Sequence, residues 1–179
     1  MEYLFLRRKK STATSERQKA ILFRVAEKEW ESRFASAGGN VNAKEAGSAR
    51  MGGRKIDCSI YKNILYQLEI RQVFLDMTLS LKKLSALIET NQTYVSNVVN
   101  KYFGCNLKEL VNSYRVEYAK ELLYSGRCLL EDVPGRCGFA SKSAFYAAFV
   151  KHAGESPKRY LARERKTEQL NAGLSGLKC

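Results

Sequence analysis

Long hydrophobic runs are missing from this 179-residue chain. The longest, Ala144 to Val150, has seven residues, against the roughly 20 needed to cross a bilayer. No membrane segment is therefore expected. A secretory signal is missing too. Met1 to Leu6 is too short for its apolar region, and positive charge follows it instead of preceding it. The five cysteines never form C-x-x-C, and the single histidine, His152, has no cysteine near it in sequence. A structural zinc site lacks support, and the odd cysteine count reads as reduced thiols in the cytoplasm. No G-x-S-x-G, P-loop or H-E-x-x-H is present, which argues against an enzyme and leaves no cofactor to expect.

Acidic residues are also scarce. There are 31 Lys and Arg against 18 Asp and Glu, a net charge of +13. Residues 1–57 carry 13 basic and 7 acidic side chains, and residues 58–179 carry 18 and 11. Both parts would be drawn to a polyanion, so nucleic acid is the first partner to test. Apolar residues make up 45% of the chain, enough for a packed core.

The first stretch is a basic extension, residues 1–57. It opens with MEYLFL and the cluster Arg7-Arg8-Lys9-Lys10, which reads first as a solvated, mobile tail, and functionally as a phosphate-contacting arm or the inner flank of a lost membrane helix. Ser15 and Gln18 have capping-box spacing, and Leu22, Val25, Ala26, Trp30 and Phe34 then share one helical face. This predicts a helix over 15–34, docked on the main domain or paired with a second copy. Residues 35–54, rich in Gly, Ala, Ser and Asn, read as a flexible linker, with a domain boundary near residue 57.

From Ile60 onward every strong apolar pattern has helical period, so the fold class is all-α. Ile60, Ile64, Leu65, Leu68 and Val73 mark a first helix. Ser80 caps a second, with Leu81, Leu84, Leu87 and Ile88 inward. Asn91 caps a third, with Val95, Val98, Val99 and Tyr102 inward, and Gly104 ends it. Asn106 and Glu109 open a long fourth, with a stripe of Leu107, Leu110, Val111, Tyr114, Tyr118 and Leu122 that stops at Gly126. A short fifth is expected around Leu130 to Cys137. Ser141 caps a sixth, with Phe145, Ala148 and Phe149 inward and Gly154 following. Ser156 and Pro157 open a seventh. A tail, 165–179, completes a division with a main domain over 58–164.

Only Glu89, Thr90 and Asn91 separate the second and third helices, and only Gly138 to Ser141 separate the fifth and sixth. Both are helix-turn-helix spacings. On the third helix Gln92, Thr93, Ser96, Asn97 and Asn100 lie between inward valines, with Lys101 beside them. Short hydroxyls and amides can meet base edges, and the lysine can meet phosphates.

The ordered pieces T-N-x-T-Y-V-S (Thr90–Ser96), N-x-Y-F-G, N-x-Y-R-V-E-x-A-x-x-L-L (Asn112–Leu123), C-G-F-x-S-K-S-x-F and S-P-x-x-Y (Ser156–Tyr160) resemble the AraC/XylS-type DNA-binding domain. The resemblance implies a cytoplasmic transcription regulator, activator or repressor. Two helix-turn-helix subdomains, joined by a linker helix, would read successive major-groove segments about 34 Å apart. By motif position the readers are Thr93, Ser96 and Asn97 in the first unit. Those in the second are Ser143, Tyr146 and Ala147 with Lys142 nearby, and Arg115 takes the structural arginine of the linker helix. Double-stranded DNA is the implied partner, with RNA polymerase and a second copy of the chain as further candidates.

The second unit departs from that pattern. Pro134 stands where a small helical residue is usual and would cost about 3 kcal/mol in a helix interior, unless the helix begins there. Ala147 and Val150 replace the customary Arg and Lys, and Leu161 follows Tyr160 where Arg is usual. The second unit would then lean on Lys142, Tyr146, Lys151 and Arg159. The alternative reading is a degenerate relative that pairs through residues 15–34 and binds DNA weakly. The extension is also too short for the usual sensor domain.

Overall fold

The computed structural model describes residues 15–34, 47–126 and 128–175. The arm at Arg7–Lys10, linker residues 35–46, the Ser15–Gln18 capping box and the Phe34 side chain lie outside what is described. Every element among the described residues is helical. The contacts divide the chain into two compact units, one built from residues up to Val73 and Thr78–Leu110, the other from Phe74–Met77 and Val111 onward.

In the first unit, α1 (Ser15–Phe34) packs on α2 (Gly47–Leu65). Leu22, Ala26 and Trp30 are buried along α1, and Ile60, Tyr61, Ile64 and Leu65 along α2. The contact is largely aromatic. The Trp30 ring lies 5.2 Å from Tyr61 and 4.1 Å from Tyr102, and Tyr61 stacks on Phe103 at 4.9 Å. Rings of this size bury 150–250 Å² each by typical measures, about as much as any side chain can contribute. α2 passes into a π-helical turn, Tyr66–Ile70, and then a 3-10 turn, Val73–Leu75.

Helices α3 (Leu81–Leu87) and α4 (Gln92–Val98) form the first tight pair. Ser80 Oγ accepts the Lys83 N–H at 3.3 Å, and Asn91 Oδ1 accepts the Tyr94 N–H at 2.9 Å. Each cap thus satisfies one of the donors that a helix start leaves open. The turn between them places Glu89 at φ +55°, a left-handed conformation uncommon outside glycine. Leu84, Val95, Val98 and Val99 are buried. A second π-helical turn, Val99–Phe103, follows α4 and ends at Gly104.

Helix α5 (Leu107–Ser125) starts in the first unit and continues into the second. Asn106 Oδ1 caps it through the Glu109 N–H at 2.9 Å. The second unit has its own core of Val116, Ala119, Leu123, Val133, Cys137, Phe139, Phe145, Ala148 and Phe149. Helix α6 (Val133–Arg136) is one turn long and carries Pro134 in that first turn. No intrahelical donor is lost there, because the first-turn N–H groups have no partner in any helix. Leu130–Asp132 form turns, so the helix is shorter than the span Leu130–Cys137 suggests.

Helix α7 (Lys142–Ala153) is capped by Ser141 Oγ, which accepts the Ala144 N–H at 3.2 Å. Phe145 lies edge-on to Phe139 at 5.4 Å and to Phe149 at 5.6 Å, and Phe149 meets Tyr160 at 5.7 Å. Tyr160 stands on α8 (Pro157–Ser175), whose start is capped by Ser156 Oγ through the Arg159 N–H.

Several expectations need correction. Residues 47–54 are helical, not linker, and α2 begins at Gly47. Residues 165–175 continue α8 as helix. Leu87 and Val25 are exposed rather than inward, at 41% and 40%. In a helix of seven residues only one or two positions can face the core, and Leu84 occupies that place in α3.

Candidate nucleic-acid interface

Two capped helices carry the side chains singled out by the sequence. On α4, Gln92, Thr93 and Asn97 are exposed and Ser96 is half-buried, and Asn100 is exposed in the π-helical turn that follows. Burial of Val95, Val98 and Val99 fixes which way this face points. Hydroxyls and amides can both donate and accept, which is what base edges in a groove require.

The structure adds two residues to this face. Tyr94 is 48% exposed, and it lines an open depression with Asp57, Asn97, Asn100 and Lys101. Tyr94 was legible in the sequence: it sits three positions before Asn97 and seven before Lys101. Asp57 was not, because it lies 44 residues from Lys101, at the edge of a segment read as linker.

Lys101 is placed among these groups with its charge already engaged. Its Nζ lies 3.2 Å from Asp57 Oδ2, and the Tyr102 hydroxyl donates to the same oxygen at 2.7 Å. The ammonium also sits 4.8 Å from the Tyr102 ring centre. The hydrogen bond with Tyr102, helped by Asp57, holds Lys101 above the ordinary lysine pKa although desolvation, the second-largest influence, pulls it down. Burial pushes the Tyr102 phenol up.

On α7, Lys142, Ser143, Ala147 and Lys151 are exposed. Tyr146 is half-buried, its ring at right angles to Phe145 with centres 5.5 Å apart. Val150 is 47% exposed. The outward face of α7 thus offers a lysine and a hydroxyl at its start, alanine and valine along its middle, and Lys151 near its end. Arg159 is exposed in the first turn of α8.

Arg115 belongs to the scaffold. Its Nε donates to Phe74 O at 2.7 Å and its Nη2 to Asp76 O at 2.9 Å, and its guanidinium lies 5.4 Å from the Phe139 ring centre. Burial lowers its pKa. The arginine therefore fastens the short Phe74–Met77 strap to the core of the second unit.

Known proteins share this arrangement. Residues 84–163 match a family model described as a helix-turn-helix domain. The melibiose operon regulatory protein of Escherichia coli K12 is 25% identical over 98 residues, covering 55% of this chain and 32% of that protein. The chain thus spans about a third of the length of the curated relative it matches. A solved protein from Listeria innocua is 33% identical, with a TM-score of 0.51 over 56% of this chain and 93% of its own. The C-terminal domain of AraT, a response regulator from Geobacillus stearothermophilus, is 25% identical, with a TM-score of 0.52 over 59% of this chain and 84% of its own.

The fold and these matches define a helix-turn-helix protein built from two helical units. More narrowly, residues 84–163 match the helix-turn-helix domain family, and the chain is similar to the C-terminal domain of AraT and to part of the melibiose operon regulatory protein. Among the described residues no helix is long and apolar enough to cross a membrane.

Proposed function

We propose that this chain binds double-stranded DNA sequence-specifically and regulates transcription, without catalysis of its own. α4 is the principal reading helix. The observation that carries this is the exposed row Thr93, Asn97 and Asn100, on α4 and the π-helical turn that continues it, oriented by the buried Val95, Val98 and Val99. Asn is a poor mid-helix residue, and its amide is matched to adenine in the major groove. The net charge of +13 supplies the nonspecific attraction on which reading depends. The similarity to the melibiose operon regulatory protein supports the same class of activity.

α7 is the second reading helix and the weaker one. Lys142, Ser143 and the half-buried Tyr146 can reach DNA, whereas the side chains of Ala147 and Val150 have no hydrogen bond to give. Lys151 and Arg159 then act on phosphates. Work in the cytoplasm, contact with RNA polymerase and pairing of two copies belong to this same reading.

The test is a gel-shift titration on the promoter region beside its own gene and on random duplex, at several salt concentrations. Tight promoter binding that falls steeply with salt is expected. Equal affinity for both duplexes at physiological salt would refute sequence-specific binding.

A further inference from the structure

On the reading face of α4 one group has the wrong charge for its neighbours. Asp57, from α2, lines the same depression as Tyr94, Asn97, Asn100 and Lys101. It is not a chance neighbour. Its Oδ2 takes both the Lys101 ammonium at 3.2 Å and the Tyr102 hydroxyl at 2.7 Å. Tyr102 is in turn braced by the Trp30 ring of α1, 4.1 Å away. The Lys101 side chain keeps 62% of its exposure, while that of Asp57 keeps 22%. The cation is thus presented to solvent with a built-in anion behind it.

We propose that Asp57 is a specificity-determining residue of the DNA-reading face: it holds Lys101 partly neutralised and so suppresses binding to any phosphate backbone. This rests on the reading of α4 as a DNA-reading helix. A backbone phosphate must compete with Asp57 for Lys101, and the carboxylate also repels phosphate at close range. Phosphate contacts raise affinity for every sequence alike, while base contacts discriminate. A device that weakens one phosphate contact therefore lowers random-duplex binding and leaves more of the remaining affinity to Thr93 and Asn97.

The replacement that isolates this charge is Asp57→Asn. The amide keeps an oxygen for the Tyr102 hydroxyl and nearly the same shape. The released Lys101 adds about one phosphate contact, worth about 0.9 in the slope of log K against log salt. Between 50 and 200 mM salt that slope corresponds to an affinity change about threefold larger than in the unaltered protein. Asp57→Asn should bind random duplex about 3- to 10-fold more tightly at low salt, with a steeper slope and a smaller promoter-to-random ratio.

The control for bulk charge is Glu27→Gln. It removes one negative charge from the same unit, from a pair with Lys62 at 3.3 Å that lies outside the depression. Its effect should be clearly smaller. In a Lys101→Met background, adding Asp57→Asn should bring much less gain than it does alone.

Fluorescence anisotropy on a labelled random duplex and a labelled promoter duplex, with the full chain, reads all five proteins: the unaltered one, Asp57→Asn, Glu27→Gln, Lys101→Met and the Lys101→Met, Asp57→Asn double variant. If Asp57→Asn binds random duplex no better than the unaltered protein, or less well, the proposal fails. A gain equal to that of Glu27→Gln, or one that persists in full without Lys101, overturns it equally. If the unaltered protein binds neither duplex at low salt, the reading of α4 falls first and this proposal falls with it.

Discussion

Gly138 is the position where a single methyl group should do the most damage. It lies in the turn between α6 and α7 at φ +77°, where a side chain is already strained. A Cβ built there would meet Leu75 O at 2.6 Å, Leu75 C at 2.8 Å and Phe74 O at 2.8 Å. These are backbone atoms, and the strap that carries them cannot easily retreat, because Arg115 bonds Phe74 O and Asp76 O. The left-handed conformation costs about 1–2 kcal/mol for alanine, and overpacking adds about 1–3 kcal/mol. Gly138→Ala should therefore destabilise the protein by about 2–5 kcal/mol.

Gly104→Ala is the matched control. Its φ is +69°, nearly the same, but nothing lies within 4 Å of the added carbon. Only the conformational part, about 1–2 kcal/mol, should appear there. Urea denaturation followed by circular dichroism compares the two. With m near 1–3 kcal/mol/M for a small protein, Gly138→Ala should lower the midpoint by about 1–2 M, clearly more than Gly104→Ala. Trp30 is the only tryptophan, so its fluorescence follows the first unit separately. Equal midpoint shifts for the two alanine variants would show that the close approach at Gly138 contributes nothing, and the steric argument would be wrong.

Other expectations follow from the same contacts. Asn97→Ala should cost about 1–3 kcal/mol on the preferred promoter and little on random duplex, measured by competition gel shift; a uniform loss would make Asn97 a backbone contact. Trp30→Ala should destabilise the first unit by about 3–5 kcal/mol, seen as a lower thermal midpoint by circular dichroism, and an unchanged midpoint would mean that α1 does not pack as described. Burial pushes the Cys137 thiol up from 9.0 to about 12. The folded form keeps it protonated, so its contribution to stability is full below pH about 9 and is lost as pH rises toward 12. In the folded protein at pH 8 Cys137 should be the slowest of Cys58, Cys105, Cys128 and Cys137 to react with a disulfide reagent, and labelling at the rate of a free thiol would contradict its burial.

Local rules read from the sequence carried well at helix starts. Ser80, Asn91, Asn106, Ser141 and Ser156 each accept the backbone N–H expected of a cap. A cap is decided by two or three neighbouring residues, so the signal is short-range and readable. Burial was harder. Along α5 the stripe through Leu110 and Tyr114 is real, but Val116, Ala119 and Leu123 are also buried, in the core of the second unit. One periodic stripe cannot reveal a helix that serves two cores. The start of α2 was hidden because glycine and serine carry no apolar pattern. Asp57 and the anchoring of Arg115 depend on contacts across 44 and 41 residues, which no local spacing encodes.

The π-helical turn at Val99–Phe103 gives one helical stretch two angular references. An ordinary helix advances about 100° per residue, and a π turn accommodates an extra residue within its ladder. Up to Val98 the phase is set by Val95 and Val98 against the core. Beyond it the phase is set by Tyr102, moored to Asp57 and Trp30. Thr93 and Asn97 before the turn and Lys101 within it are thereby clocked independently, so mutations that rotate the one group need not disturb the other.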